Sequence, residues 1–350
     1  MNQGDNKYIK RCFELAGKGL GSVSPNPLVG SVIVYNDEII GEGYHHRYGE
    51  AHAEVNAINA VKNRSLLPFS TLYVNLEPCA HHGKTPPCAL RIIDENISKV
   101  VISTIDPFDQ VAGKGVEMLK NEGIEVVTSV LEEDGKWLNR RFFTFHQKKR
   151  PYIILKWAQT KDGFIDINRL ENQHNTSNWI TNHELKVLVH KWRAEEDAIM
   201  VGSNTVINDN PKLNVRHWQG KSPLRVVIDI EHQLTPNFHV FDESVETIMF
   251  VDRPNIEFPS SIEQVVMPLQ NRLSFVMDIL YEKQVQSIII EGGQFLLQSF
   301  LRAGLWDEAR VLTGNKYFGS GLPAPQISQK PSIVSQIGGD FITTYINKNN

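Results

Sequence analysis

The chain opens with apolar positions at helical spacing: Tyr8, Ile9, Cys12, Phe13, Ala16 and Leu20 follow Asp5 and Asn6, either of which suits an N-cap, and Gly19 and Gly21 close the segment. The period then shortens. Residues 29–35 and 39–44, joined by Asn36-Asp37, read as a β-hairpin. A helix is expected over 52–61, a strand over 71–76, and a second helix that opens at Pro86-Pro87, where proline fits a first turn, and runs to about Asn96. Strand 99–104, helix 115–121, strand 125–130 and helix 132–145 follow. Strands alternating with helices after a hairpin predict a mixed sheet sandwiched by helices.

The basic stretch His146-Gln147-Lys148-Lys149-Arg150-Pro151 reads as a solvated linker, and it divides the chain into domains 1–146 and 147–350. Beyond it, long apolar runs predict strands at 152–158, 198–201, 225–230, 247–251, 264–267 and 287–290, with helices at 182–195 and 273–285. This is the pattern of a second α/β domain. Its last strand meets Glu291-Gly292-Gly293 and then a helix over 294–303 capped by Gly304. Such a turn can offer backbone N–H groups to a phosphate, although a glycine pair there more often makes only a tight connection.

The sharpest chemical signal lies at 52–88: His52-Ala53-Glu54, then Pro78-Cys79, then Cys88 after Pro86-Pro87. A catalytic zinc keeps three protein ligands and leaves its fourth position to water, and His52, Cys79 and Cys88 supply three. Glu54 is placed to move the proton. H-x-E followed by P-C and a further Cys is the pattern of zinc-dependent base deaminases. Three alternatives compete: a structural zinc completed by His81, His82 or Cys12, two buried cysteines without metal, and a redox pair, for which the spacing across residues 80–87 is wrong. Cys88 falls near a helix N-terminus, which favours thiolate.

Charge and cysteine usage narrow the class. A formal net charge of −4 gives no basic footprint for nucleic acid. Three cysteines, two of them assigned to metal, suit a reducing compartment. No run approaches the ~18 apolar residues of a membrane span, and the first residues lack a leader's apolar core. A cytoplasmic protein without membrane or nucleic-acid partners is expected.

Three stretches together resemble the bifunctional riboflavin-biosynthesis deaminase-reductase family: Asn26-Pro27-Leu28-Val29-Gly30, His52-Ala53-Glu54, and the run from Leu76-Glu77-Pro78-Cys79 through His81-His82-Gly83-Lys84-Thr85 to Pro86-Pro87-Cys88. The long Cys-to-Cys loop separates this family from nucleoside deaminases with P-C-x-x-C. In the second half Leu155-Lys156, Lys161-Asp162-Gly163, Ser177 to Thr181, Arg193, Val201-Gly202-Ser203-Asn204-Thr205, Asp209-Asn210-Pro211-Lys212-Leu213 and Arg216 continue the match in order.

The resemblance implies a fold: an N-terminal cytidine-deaminase-like three-layer mixed sheet and a C-terminal dihydrofolate-reductase-like α/β domain. It implies one zinc per chain, NADPH, and a homo-oligomer, dimer or tetramer, acting on a phosphoribosylaminopyrimidine. The first half would deaminate 2,5-diamino-6-(5-phosphoribosylamino)pyrimidin-4-one and the second would reduce the ribosyl group to ribityl. Asn26, Lys84, Ser177, Arg193, Leu213, Arg216 and Glu291 match substrate contacts, with Arg193 and Arg216 suited to grip a phosphate. Ala158, Trp179, Thr205, Asp209, Gly293, Gln294, Phe295, Leu296, Leu297, Gln298 and Ser299 match cofactor contacts. Lys156 is a candidate acid for the reductase, and one of His45, His46, His81 and His82 is expected to line the deaminase pocket. The chain departs from the family at Phe108, where relatives commonly have Asn, at Ile230, where they often have Ser, and across residues 164–175. A structural zinc with reductase activity alone, and a tRNA or nucleoside deaminase with an unrelated C-terminal module, remain as alternatives.

Overall fold

The computed structural model describes residues 3–80, 86–108, 112–169 and 178–348, and separates the chain into two compact units, Met1–Lys149 and Arg150–Asn350. The first unit runs α1 (Gln3–Gly17), β1 (Gly30–Tyr35), β2 (Glu38–Tyr44), α2 (Ala53–Ala60), β3 (Thr71–Leu76), α3 (Cys88–Asp94), β4 (Lys99–Thr104), α4 (Lys114–Asn121), β5 (Glu125–Val127), α5 (Glu132–Leu138) and α6 (Arg140–Lys148). Its sheet has the order β2-β1-β3-β4-β5. The first two pairings are antiparallel, and β3-β4-β5 are parallel. Asn36 and Asp37 turn the hairpin with φ of 48° and 62°, the left-handed pair that matches strand twist.

Alternation along the strands explains the three layers. Val32, Val34, Tyr73 and Val101 pack on one face against Tyr8, Ile9 and Cys12 of α1. Ile33, Leu72, Val74, Val100 and Ile102 point the other way, onto Ala57 and Ile58 of α2, Ile92 of α3 and Leu119 of α4. Burying each such side chain is worth about 1.5–3 kcal/mol. Cys12 therefore belongs to the α1 layer, fully buried.

The helix expected over 132–145 is two helices broken at Asn139, and α6 continues to Lys148 through residues expected in the linker. The break has a tertiary cause: Asn139 is buried, accepting from Leu28 N at 2.8 Å and donating to Leu28 O at 2.9 Å.

The second unit runs β6 (Tyr152–Thr160), β7 (Phe164–Asp166), α7 (His183–Glu195), β8 (Ala198–Gly202), α8 (Ser203–Asp209), β9 (Leu224–Ile228), β10 (Thr247–Val251), β11 (Glu263–Val266), α9 (Arg272–Glu282), β12 (Ser287–Ile290), α10 (Gln294–Arg302), β13 (Glu308–Gly314), β14 (Leu322–Pro323), β15 (Ile333–Ile337) and β16 (Asp340–Ile346). Nine strands form one sheet, β11-β10-β9-β8-β12-β6-β13-β16-β15. The strands from β11 to β13 are parallel, and β16 and β15 add an antiparallel edge. Both faces of β8, β9 and β10 are apolar, as parallel strands between helical layers require. The sequence pattern did not reveal β13, β15 and β16. Buried Glu308 and Arg310, hydrogen-bonded to each other at 2.6 Å, interrupt the apolar run of β13, and β15 is mostly exposed.

Candidate active sites

In the first unit the chemistry gathers at the ends of β3, α2 and α3. His52 is the residue before α2, Glu54 lies in its first turn, Cys79 follows β3, and Cys88 begins α3. α2 sits hard against β2, because a Cβ on Gly43 would fall 2.4 Å from Ala57 N. His52, Cys79 and Cys88 offer ligand atoms within 4.8 Å of one another, the one such group among the described residues. His52 Nδ1 lies 3.2 Å from Cys88 Sγ and 3.6 Å from Cys79 Sγ. Tetrahedral zinc, with Zn–N near 2.0 Å and Zn–S near 2.3 Å, sets such donors about 3.6 Å apart. The donor set fits the metal.

Of the two thiols, Cys79 is drawn toward thiolate, while Cys88, against the expectation from its helix start, is held protonated. Hydrogen bonding from Cys88 and His52 draws the Cys79 thiol down to about 4, and the bond to Cys79 raises the His52 imidazole. Cys79 and burial push the Cys88 thiol up in turn. Burial pushes the Glu54 carboxyl up to about 7. Of the described candidate histidines, His45 is the one beside the ligands: it is buried, its ring meets the His52 ring edge-on at 5.4 Å, and its Nε2 lies 3.0 Å from Asn26 Nδ2. His46 packs on Tyr44 instead. Asn75 and Asn139 pin the Asn26 loop by bonding Gly30 N and both polar groups of Leu28. The Phe108 ring lies 4.9 Å from that of His146.

The second unit holds a cavity of about 900 Å³ above the β8, β12 and β6 strand ends. At its polar end Glu291 receives Arg193 Nε at 3.0 Å, Arg193 Nη2 at 2.7 Å and Lys156 Nζ at 3.3 Å. Burial would raise the Glu291 carboxyl, but the charges of Arg193 and Lys156 outweigh it and hold it at about 2. Burial lowers the Lys156 ammonium. Gly293 precedes α10 and offers no side chain to cap it, so that helix start faces the cavity bare. Uncapped N–H groups there fit a dinucleotide's phosphates.

Residues 151–337 match the family model "RibD C-terminal domain", and residues 2–104 match "Cytidine and deoxycytidylate deaminase zinc-binding region". The riboflavin biosynthesis protein RibD of Aquifex aeolicus is 40% identical over 323 residues, covering 91% of this chain and 89% of its own. The chain belongs to the RibD family. The solved structure of a diaminohydroxyphosphoribosylaminopyrimidine deaminase/5-amino-6-(5-phosphoribosylamino)uracil reductase from Thermotoga maritima superimposes with a TM-score of 0.89 at 38% identity, covering 98% of this chain and 99% of that one. RibD from Acinetobacter baumannii gives 0.88 at 32% identity, over 99% of each chain. This RibD chain is accordingly a bifunctional riboflavin-biosynthesis enzyme, a zinc-dependent deaminase joined to an NADPH-using reductase.

Against the positions expected for RibD, the cavity brings together Ala158, Trp179, Thr205, Asp209, Leu213, Arg216, Glu291, Gly293, Gln294, Phe295 and Leu296. Leu297, Gln298 and Ser299 do not reach its wall. Leu297 is fully buried in the core beneath α10, and Ser299 Oγ donates to Phe295 O at 2.8 Å one turn back. Arg193 lines the cavity as well, with its fork closed on Glu291. Lys84 and Ser177, like His81 and His82, lie outside the described residues.

Sequence reasoning missed Arg169, which lines the cavity with Nε at 2.5 Å from Asp166 and Nη2 at 2.8 Å from Asp209. It falls in the segment where this chain diverges from the family pattern, so no motif marked it. It also missed His190, buried under Arg216 N, which donates to its Nδ1 at 3.1 Å. Burial and then Arg193 and Arg216 lower that imidazole to about 4, which keeps it a neutral acceptor.

Proposed function

We propose that the zinc pocket hydrolytically removes the 2-amino group of 2,5-diamino-6-(5-phosphoribosylamino)pyrimidin-4-one, and that the second cavity reduces the product's ribosyl group to ribityl with NADPH. The observation that carries this is the His52, Cys79 and Cys88 donor set with buried Glu54 beside it. The activities named for the Thermotoga maritima relative support the choice of substrate.

Zinc, when bound, lowers the pKa of a coordinated water to near 7. Glu54 takes the proton on a carboxylate oxygen and returns it to the departing amine, so that water is consumed, C–NH₂ becomes C=O and ammonia leaves. Burial raises the Glu54 carboxyl above its ordinary value, which suits a group that must hold a proton and give it back. Asn26, its amide nitrogen 3.0 Å from His45 Nε2, would contact the pyrimidine.

NADPH, when bound, supplies the hydride. The bare start of α10 and Thr205 would hold its phosphates, Trp179 would lie against its nicotinamide, and Lys156 would donate the proton that accompanies ring opening at the ribosyl oxygen. Arg216 and Arg193, both at the cavity wall, would meet the substrate phosphate, Arg193 while its fork stays on Glu291. The reading extends to a cytoplasmic homo-oligomer, dimer or tetramer, which light scattering on the purified chain tests.

The deciding experiment follows ammonia release and NADPH oxidation together for wild type and Glu54→Gln. The variant is expected to lose about 10²–10⁴-fold in deamination and to oxidise NADPH normally when given the deaminated pyrimidine. Ammonia release at the wild-type rate would remove Glu54 from the mechanism.

A further inference from the structure

Glu77 stands between β3 and Pro78-Cys79 and is 4% exposed. Among the described residues no Lys, Arg or His pairs with it; backbone groups receive its charge. Oε2 accepts from Gly113 N at 2.9 Å and Asp106 N at 3.3 Å, and Oε1 accepts from Val116 N at 3.1 Å. Gly113 is the residue before α4, in the left-handed region at φ 78°, and Val116 completes that helix's first turn. A residue before a helix usually caps it with its own side chain. Glycine has none, and the cap arrives from Glu77 instead.

A second contact falls on the same step of chain. A Cβ on Gly115 would lie 2.0 Å from Pro78 O and 3.2 Å from Glu77 Cγ. The first turn of α4 thus meets Glu77-Pro78 once through hydrogen bonds and once through bare backbone contact. Proline fixes its own φ, so few free torsions separate this anchor from Cys79. On its other side Cys79 is held by α3: Cys88 N donates to its Sγ at 3.3 Å and Ala89 N to its carbonyl at 3.2 Å. Cys79 is gripped between two helix starts.

We propose that Glu77 is a positioning residue for the zinc centre, tying Cys79 to the first turn of α4 so that its hydrogen bonds to that turn set how long the metal is retained. Outer partners of metal ligands commonly change affinity by about 10–100-fold, and here the partner acts through two peptide units. The inference rests on His52, Cys79 and Cys88 being the zinc ligands. A wild-type chain that holds no zinc overturns both readings, whereas an unaltered Glu77 variant beside zinc-loaded wild type overturns only this one.

The test is zinc release from the full-length chain to a chromophoric chelator, for wild type, Glu77→Gln and Leu119→Ala. Gln turns an amide NH₂ toward N–H donors. Leu119→Ala weakens the packing of α4 on the sheet without touching Glu77. Glu77→Gln is expected to release zinc at least about tenfold faster, with reductase turnover of the same chain unchanged, and Leu119→Ala to release it at the wild-type rate. Wild-type release from Glu77→Gln overturns the proposal. So does equal acceleration by Leu119→Ala, which would make the effect one of general stability. Should Glu77→Gln fail to fold, Gly115→Ala carries the same comparison through the steric contact, with the same two outcomes.

Discussion

Arg193 lays its guanidinium edge along the carboxylate of Glu291, Nε on Oε1 at 3.0 Å and Nη2 on Oε2 at 2.7 Å, while Lys156 reaches the same Oε2 at 3.3 Å. One carboxylate faces two cations, so this end of the cavity keeps a net positive charge for an anionic substrate. Glu291 also continues β12 directly, so the cluster is fixed by the sheet and not by a loop.

The cluster gives a pH dependence with a definite sign. The folded Glu291 carboxyl, at about 2, lies below the value near 4.3 of an unfolded glutamate. Its contribution to stability is therefore present above about pH 4.3 and lost as pH falls through that value toward 2. The thermal midpoint of the reductase unit should fall across that window, and Glu291→Gln should flatten the fall. Because the change leaves two cations facing each other, reductase turnover should drop at neutral pH while deamination stays intact. An acid profile identical to wild type would show that Glu291 is not held by these charges.

Metal removal separates the two halves of the enzyme. The proposed zinc ligands are confined to the first unit, and the cavity proposed for NADPH lies in the second. Dialysis against dipicolinate should abolish ammonia release and leave reduction of the deaminated pyrimidine at its original rate, with zinc restoring the first. Simultaneous loss of both would mean that the metal supports the whole chain's fold.

Much of this was legible in the sequence because the signals were local. The Asn36-Asp37 turn, the short apolar runs of β1, β3 and β4, and the His52-Ala53-Glu54 and Pro78-Cys79 motifs each reflect chemistry confined to a few neighbouring positions. What escaped was tertiary. Asn139 breaks a helix because Leu28, far away in sequence, needs its amide, and β13 hides its strand character behind a buried Glu308–Arg310 pair. The pairing of Arg193 with Glu291 joins residues nearly a hundred positions apart. Leu213, expected at the site by resemblance, adopts φ 50°, a left-handed backbone that a leucine rarely takes and that no sequence pattern announces.

Gly43 offers a steric test of how α2 carries the zinc chemistry. An added Cβ would meet Ala57 N at 2.4 Å and Ala53 O at 2.6 Å, so Gly43→Ala must push the helix bearing Glu54 off β2. Overpacking of this kind costs about 1–3 kcal/mol, and a displacement near 1 Å at a reacting group can cost about 10²-fold in rate. Gly17, at the end of α1, has no atom within 4 Å of such a Cβ, and Gly17→Ala should leave activity unchanged. Equal activity in the two variants would show that α2 can shift without harm.

Asn139 tests whether the Asn26 loop is held from outside the zinc shell. Its amide satisfies both Leu28 N and Leu28 O in a buried place, so Asn139→Ala leaves a donor without its partner at a cost of about 1–3 kcal/mol. Asn75 keeps its own bonds to Leu28 O and Gly30 N, so the loop should loosen and not collapse. The expected kinetic signature is a raised KM for the diaminopyrimidine with zinc content unchanged, because Asn26 loses its fixed approach while His52, Cys79 and Cys88 stay in place. A fall in kcat with KM unaltered would move the role of Asn139 from substrate positioning to the catalytic step itself.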